Sequence, residues 1–224
     1  MKKLLLKFAD KVGLTAKIPR KGIADFVVRH RTSGKTLDIG SGGGPYRSHY
    51  PSRVSIDIEA SPGVDYVADA HDLSMFSDDE FDCILCTEVL EHLYDPQKAI
   101  GEMHRVLKKG GKVVLTTRFI FPLHNTPHDY WRFTRYGLEH LFSEFSSVEI
   151  TEETGTLGTL AVLYERLGFQ TVLMHLKILN IFWITLSKLT FICRSLITKE
   201  FGDVTHAHEE RPIMTSGYYV YAVK

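Results

Sequence analysis

The sequence has 224 residues and a mass of 25.5 kDa, which suits one large domain or two small ones. Hydrophobic residues make up 44% of the chain and charged residues 24%, so it can bury a sizeable core, which excludes a disordered chain. Its 27 basic and 27 acidic residues balance, which argues against the basic excess of a general nucleic-acid binder. No nucleic-acid partner is therefore expected.

Residues 1–35 form the basic pole of the chain. They hold ten Lys or Arg against two Asp, whereas residues 36–224 hold 17 basic and 25 acidic side chains. Leu4, Phe8 and Val12 recur at helical spacing, so a basic amphipathic helical segment is expected here. Its apolar run is shorter than a signal peptide requires, so we expect a cytoplasmic protein.

Short apolar runs separated by Gly, Asp and Pro follow from Thr36 onward, and this alternation predicts an α/β sheet. A helix is expected after Asp95, a natural N-cap, because Pro96 suits the first helical position and apolar residues then recur at steps of three and four. Gly110-Gly111 is expected to end it. A second helix is predicted at 136–145, and strands at 37–39, 54–58, 66–68, 81–86, 113–117, 148–150 and 218–223.

Three cysteines cannot form a disulfide framework, which suits a reducing compartment. Cys83 and Cys86 lie within one apolar strand, where residues three apart point to opposite faces. We therefore expect both to be core residues and not a redox or zinc pair.

A glycine-rich turn follows the first strand, in the sequence Leu37-Asp38-Ile39-Gly40-Ser41-Gly42-Gly43-Gly44. Glycines let backbone N–H groups approach a ligand closely, although an ordinary tight turn is the alternative for this motif by itself. Pro45 stands where a dinucleotide fingerprint needs its third glycine, and the sequence has no P-loop.

The pattern Asp38-x-Gly40-x-Gly42-x-Gly44 resembles the first motif of class I S-adenosylmethionine-dependent methyltransferases. The segments at 88–92 and 105–111 are similar to those of the branch called the type 11 methyltransferase domain. The resemblance covers about residues 36–118. It implies S-adenosylmethionine as cofactor and a Rossmann-like methyltransferase fold, in which a doubly wound, mostly parallel sheet has seven strands.

Asp57 lies seventeen residues past Gly40, at the end of the second strand. A carboxylate there can accept hydrogen bonds from two ribose hydroxyls. The resemblance assigns it that role and places Asp69 beside the adenine, whereas Asp38 is expected to shape the loop by accepting backbone N–H bonds. The predicted cofactor-binding residues are Asp38, Gly40, Ser41, Gly42, Gly44, Asp57, Ile58, Asp69, Ala70 and Thr87.

The connection at 60–63 is too short for the helix that this family has after its second strand. That side of the sheet needs another cover. The basic N-terminal segment and a later apolar insertion are both candidates.

A loop at 122–134 follows the fifth strand and is dense in His, Asp, Tyr, Trp and Arg. Because loops on a rigid scaffold often carry function, we expect it to cover the acceptor pocket, with His124 or His128 as the base. The predicted catalytic residues are His124, His128 and Asp129, and the predicted substrate contacts are Tyr130, Trp131 and Arg132. In the alternative, the loop is a structural lid in which Asp129 pairs with Arg132 and Trp131 lies in the core.

The segment Asp-Tyr-Trp-Arg-Phe-Thr in this loop resembles one found in methyltransferases of bacterial surface-polysaccharide gene clusters. The resemblance implies a glycan-type acceptor. We expect the methyl group to pass to a small-molecule or glycan-type acceptor, at oxygen.

No metal site is expected from the sequence. Glu88 and Glu91 could form an acidic pair, or serve as a helix cap or solvated residues, and His92 is equally ambiguous. His206 and His208 are interpreted as part of a polar loop, because no further ligands follow at metal-binding spacing.

Residues 156–200 are interpreted as an apolar helical insertion before the last strand, within a methyltransferase domain at 36–224. Its uncharged stretches are too short to span a bilayer. Lys177, Ile184 and Lys188 share one helical side, leaving a broad apolar face for the domain, a homodimer partner or the inner face of a membrane. A non-catalytic protein that uses this face to bind a partner or membrane is the alternative function.

Overall fold

The structure is a computed structural model that describes residues 17–171, 177–202 and 210–224. The chain divides into two units. The larger comprises Ile23–Phe119, Leu123–Thr151 and Gly217–Lys224, and the smaller contains the described residues of Met1–Gly22, Ile120–Pro122 and Glu152–Ser216. The predicted insertion lies in the smaller unit.

The described part of the chain contains five α-helices and seven strands. The helices are α1 (Ile18–Arg29), α2 (Pro96–Val106), α3 (Arg135–Leu141), α4 (Thr156–Gln170) and α5 (Lys177–Ile192). The strands are β1 (Thr36–Ile39), β2 (Arg53–Asp57), β3 (Tyr66–Val67), β4 (Phe81–Thr87), β5 (Leu107–Arg118), β6 (Ser147–Glu152) and β7 (Gly217–Val223).

The seven strands form one sheet in the order β3-β2-β1-β4-β5-β7-β6. Strands β1 to β5 pair in parallel, and β7 runs antiparallel to β5. Parallel neighbours require crossover connections, which place helices on the faces of the sheet. The predicted doubly wound, mostly parallel fold is confirmed.

Strand β4 is buried on both faces, as its continuous apolar run indicates. Cys86 packs in the larger core cluster and Cys83 in a second cluster with Ile23, Phe26 and Val27 of α1. The prediction that the two cysteines face opposite sides of the sheet is confirmed. The basic N-terminal segment therefore contributes cover to one face, whereas its residues 1–16 lie outside the described part of the chain.

Helix α2 begins as predicted and ends earlier than predicted. The Asp95 side chain accepts a hydrogen bond from the Lys98 N–H at 3.0 Å, and Pro96 is the first helical residue. The helix ends at Val106, because the next residue is already extended and pairs with Phe81 of β4. Gly110, with φ of 74°, lies in an irregular stretch of β5, so the prediction that it ends the helix was wrong.

Helices α4 and α5 lie in the predicted insertion. Lys188 of α5 turns toward α4 and forms an ion pair with the buried Glu165 at 3.0 Å. It therefore lies inside the helical pair, on the same side of α5 as Ile184, whose Cγ1 lies against Gly168 of α4. The prediction that Lys188 and Ile184 share one helical side is confirmed, and that side packs on α4. Several apolar side chains of this region are exposed, among them Ile181, Phe182, Leu189, Ile192 and Leu196.

No helix among the described residues is both long and apolar enough to cross a membrane. Contact of the exposed apolar side chains with a membrane surface or a second copy stays a prediction.

Candidate active site

Strands β1, β2 and β4 end side by side at one edge of the sheet. They pair in parallel with β1 in the middle, so Ile39, Asp57 and Thr87 reach the same edge. Asp69 and Ala70 follow β3, the next strand beyond β2. Ligands of open α/β sheets gather at the carboxyl ends of the strands, where the predicted cofactor residues lie.

The loop after β1 leaves its backbone open to a ligand at Gly42 and Gly43. Gly40, Gly42, Gly43 and Gly44 have φ of 65°, 49°, 95° and 71°, which residues with a Cβ rarely adopt. A Cβ at Gly42 would meet no atom closer than 4.0 Å, and one at Gly43 none closer than 3.9 Å. This open cradle of backbone groups fits the close approach of the predicted cofactor.

Asp57 contacts the glycine loop directly. Its Oδ2 accepts the N–H of Gly42 at 3.0 Å, and its Oδ1 accepts the N–H of Glu59 at 3.3 Å. Ile58 follows it with 66% of its surface exposed, which offers an apolar surface beside the carboxylate. The fold therefore brings together the loop and the acid that the sequence predicted as ribose ligand.

Asp38 has a different partner from the one predicted. Its carboxylate is buried and accepts a hydrogen bond from the Arg53 guanidinium at 2.5 Å, not from loop N–H groups. Arg53 also donates to the carbonyl of Gly63 at 2.9 Å. Burial raises the pKa of Asp38 to about 6 although Arg53 opposes the shift. Asp38 therefore forms a buried ion pair with Arg53 next to the glycine loop.

Asp69 is held in a fixed orientation by His71. Its Oδ1 accepts the backbone N–H of His71 at 2.9 Å and lies 2.5 Å from the ring Nδ1. Because the ring Nε2 accepts the N–H of Asp95, the proton of a neutral ring resides on Nδ1. Burial favours a higher pKa for Asp69, but these two bonds outweigh it and lower the pKa.

The loop at 122–134 is fixed by an ion pair. Both oxygens of the buried Asp129 accept bonds from Arg132, at 2.6 and 2.7 Å, and Oδ2 also accepts the N–H of His124. Trp131 donates its indole N–H to the carbonyl of Leu93 but is 43% exposed. The structural alternative is therefore right about the pair and wrong about a core position for Trp131.

Replacing Asp129 by Asn is expected to lower the free energy of unfolding by about 2 kcal/mol at neutral pH. The Arg132 hydrogen bonds lower the pKa of Asp129 from its ordinary value to about 2. A depressed pKa stabilises the folded state above the unfolded value near 3.8, and this contribution is lost as the pH falls toward 2. Chemical denaturation from pH 7 to pH 2.5 measures the difference between variant and wild type.

The matched control is Asp78→Asn, because Asp78 pairs with Arg105 at 2.7 Å while 74% of its side chain is exposed. An exposed pair contributes about 0–1 kcal/mol, so this variant should unfold nearly as the wild type does. Equal stability of the two variants at pH 7 would contradict a structural role for Asp129.

A buried cluster of one acid and two histidines lies where β4 and β5 end. Glu91 is fully buried, and its Oε1 lies 3.7 Å from His124 Nε2 and 4.0 Å from His92 Nε2. Its Oε2 accepts the hydroxyl proton of Thr117 at 2.8 Å. Burial favours a higher pKa for Glu91, but the contact with the His124 ring, a backbone hydrogen bond and the Thr117 hydroxyl outweigh it and lower the pKa.

The other predicted base, His128, and one member of the possible acidic pair, Glu88, lie outside this cluster. His128 Nδ1 is 3.0 Å from the hydroxyl of Tyr130. Glu88 turns to Arg118 and accepts the Thr116 hydroxyl at 3.0 Å, so it forms no pair with Glu91. The sequence left the roles of Glu91 and His92 open, and the structure places both beside His124. His206 and His208 lie outside the described residues.

Comparison with known proteins identifies the family to which this arrangement belongs. A family model described as a methyltransferase domain matches residues 14–172, well over half of the chain. A ubiquinone biosynthesis O-methyltransferase of Pseudomonas syringae pv. tomato is 33% identical over an alignment of 101 residues, and the match covers 37% of this chain and 44% of the relative. The chain thus spans less than half the length of the curated relatives it matches.

Two solved structures share the fold at low identity. An S-adenosylmethionine-dependent methyltransferase of Archaeoglobus fulgidus has a TM-score of 0.58 at 13% identity, covering 98% of this chain and 99% of that chain. Phosphoethanolamine N-methyltransferase 2 of Haemonchus contortus, solved with phosphomonomethylethanolamine and S-adenosylhomocysteine, has a TM-score of 0.56 at 18% identity. It covers 91% of this chain and 53% of that chain. At these identities the likeness shows the fold.

Proposed function

Because this chain belongs to the methyltransferase domain family, we propose that it transfers the methyl group of S-adenosylmethionine to a hydroxyl group of a small-molecule or glycan-type acceptor. The observation that carries the proposal is the contact between Asp57 and the glycine loop at the edge where β1, β2 and β4 end. S-adenosylmethionine is the cofactor, and the solved Haemonchus contortus relative holds its product form.

The residues of this edge fit the parts of the cofactor. The Asp57 carboxylate is the acceptor for ribose hydroxyls, and the loop at Gly40 to Gly44 lets the ligand approach its backbone. Ile58 offers an apolar surface for the adenine, and Asp69 presents an oriented carboxylate beside it. When bound, S-adenosylmethionine supplies a methyl group whose C–S bond breaks as the bond to the acceptor oxygen forms, while the hydroxyl proton leaves.

Activation of the acceptor hydroxyl is assigned to the cluster of Glu91, His92 and His124. A hydroxyl group must lose its proton as the methyl group arrives, and a positioned group speeds this step. Of the two histidines considered as the base, His124 lies in the cluster whereas His128 contacts Tyr130. The cluster follows β4 and β5, so it lies at the carboxyl edge together with the predicted cofactor residues.

Two similarities support the acceptor class. The relative from Pseudomonas syringae is named as an O-methyltransferase, which favours transfer to oxygen. The segment at 129–134 resembles that of surface-polysaccharide methyltransferases, which favours a glycan-type acceptor. A non-catalytic role for the same fold remains the alternative, and turnover distinguishes the two.

The first test is a calorimetric titration of S-adenosylmethionine and S-adenosylhomocysteine into the wild type and Asp57→Ala, with a nicotinamide dinucleotide as control ligand. Loss of two hydrogen bonds to a charged group should weaken binding about 100-fold. Glu59→Ala is the matched control, because Glu59 is an exposed neighbour that contacts Asp57 through its backbone N–H. A folded wild type that binds neither ligand would contradict the proposal.

Turnover on screened hydroxyl acceptors then tests the cluster. His124→Ala should lower the rate about 100-fold or more, within the range typical of a group that assists proton transfer, and His128→Ala far less. Equal effects of the two variants would argue against the cluster as the site of activation.

A further inference from the structure

The cluster of Glu91, His92 and His124 has the composition and spacing of a metal site. One ligand atom from each residue lies within 4.8 Å of the others. We propose that Glu91 Oε1, His92 Nε2 and His124 Nε2 bind a divalent transition-metal ion. The site itself rests on geometry, and its role in activating an acceptor hydroxyl rests on the proposed function.

Two of the three ligand atoms are buried without a hydrogen-bond partner. Neither Glu91 Oε1 nor His92 Nε2 forms a hydrogen bond with any of the described residues. An unsatisfied buried polar atom costs about 1–3 kcal/mol, and more when the group is charged. A cation between these atoms would satisfy both of them at once, which explains why the fold tolerates them.

Neighbouring groups hold the ligands in the orientation that metal binding requires. His92 Nδ1 donates to the carbonyl of His128 at 2.7 Å, and since a carbonyl can only accept, the neutral ring presents a lone pair at Nε2. His124 Nδ1 lies 3.4 Å from Asp129 Oδ2, so its Nε2 is directed toward Glu91. The Thr117 hydroxyl binds Glu91 Oε2 and leaves Oε1 for the ion. Such outer contacts commonly orient metal ligands.

The distances exclude a direct hydrogen bond and are close to those of a ligand set. Glu91 Oε1 lies 3.7 Å from His124 Nε2, beyond hydrogen-bond range. Ligands about 2.0–2.1 Å from a tetrahedral zinc ion lie about 3.4 Å from one another, so small side-chain rotations would close the site. Two imidazoles and one carboxylate suit ions such as Zn²⁺, Co²⁺ or Fe²⁺ better than Mg²⁺ or Ca²⁺.

Three protein ligands leave a coordination position for an acceptor oxygen. An ion in this site would lower the pKa of an acceptor hydroxyl bound at that position. The hydroxyl proton would then pass to solvent before or during methyl transfer. His124 then acts as a ligand and does not itself accept the proton. Acceptors with a hydroxyl beside a second oxygen that can share the ion are the chemical class this site favours.

The test measures metal binding without turnover. Chelator-treated full-length protein is titrated with Co²⁺, which is followed by its visible ligand-field absorption, and with Zn²⁺ by calorimetry. We expect one equivalent to bind, and affinity to fall about 100-fold or more in Glu91→Gln, His92→Ala and His124→Ala. Circular dichroism establishes that each variant is folded, and any one folded ligand variant is enough for the test.

The control variants are His140→Ala, which removes an exposed histidine of α3, and the double variant His206→Ala with His208→Ala. Both should bind the ion as the wild type does.

Two results would overturn the metal site: binding that is lost in the double variant but kept in the ligand variants, or no stoichiometric binding at all. If S-adenosylmethionine binds and acceptor turnover persists in protein that binds no metal, the metal proposal fails and the proposed function stands. If one equivalent of metal binds but S-adenosylmethionine does not, the metal proposal stands and the proposed function fails.

Discussion

Replacing Arg53 by Met is expected to lower the free energy of unfolding by about 3–5 kcal/mol at pH 8. The Arg53 guanidinium is almost fully buried and lies 2.5 Å from the equally buried Asp38 carboxylate. Its removal leaves a buried acid without its counter-charge and takes one of two donors from the carbonyl of Gly63, which keeps the Ser55 hydroxyl. Chemical denaturation measures the change, and Arg47→Met is the matched control, because Arg47 is exposed and should change stability by less than about 0.5 kcal/mol.

The effect of Arg53→Met should also depend on pH. Burial raises the pKa of Asp38 to about 6 in the wild type. From about pH 4 to about pH 6 the carboxyl ionises in the unfolded chain but stays protonated in the folded protein, so the folded state loses stability as the pH rises through this range. Without Arg53 the pKa rises further, so the variant continues to lose stability above pH 6. The difference from wild type should therefore be smaller at pH 5, where Asp38 is protonated in both proteins.

A double-mutant cycle separates the charge from the packing. Asp38→Asn combined with Arg53→Met removes both charges, so the double variant should be more stable at pH 8 than Arg53→Met. A loss of stability in Arg53→Met that is the same at pH 5 and pH 8, with no recovery in the double variant, would show that Asp38 is not ionised in the folded protein.

The cofactor half of the site could be predicted because its residues lie close together in sequence. The turn at Gly40 to Gly44 is continuous, and Asp57 is recognisable as the residue that ends the next strand. The partner of Asp38 could not be predicted in the same way. Arg53 begins β2 and lies across the β1–β2 pair, where the register sets Asp38 opposite Ser55 and not opposite Arg53.

The cluster of Glu91, His92 and His124 is harder to recognise because its residues come from two separate segments. Glu91 and His92 follow β4, whereas His124 follows β5, and only the pairing of these strands brings the three together. A signal was present in the sequence, since acid and imidazole groups follow the carboxyl ends of neighbouring strands. Taken one segment at a time, Glu91 and His92 stay ambiguous and His124 is a candidate base, and nothing in either segment indicates that the three lie together.

Replacing Gly40 by Ala is expected to weaken S-adenosylmethionine binding about 100-fold or more and to lower the free energy of unfolding by about 2–4 kcal/mol. The φ of 65° at this position strains any residue with a side chain. In addition, the new Cβ would lie 2.3 Å from Val89 Cγ2, so either the glycine loop or the β4 exit must move. Calorimetric titration and chemical denaturation of the same protein measure the two effects.

Gly42→Ala is the matched control for Gly40→Ala. Its φ of 49° carries similar backbone strain, but its Cβ would meet no atom closer than 4.0 Å, so the fold should lose only about 1–2 kcal/mol. Adding Val89→Ala to Gly40→Ala removes the methyl group nearest to the new Cβ and should restore part of both stability and affinity. If the double variant is no better than Gly40→Ala, strain at Gly40 and not the contact with Val89 explains the requirement for glycine. The loop would then be held by its own backbone conformation, independently of the β4 exit that leads to Glu91.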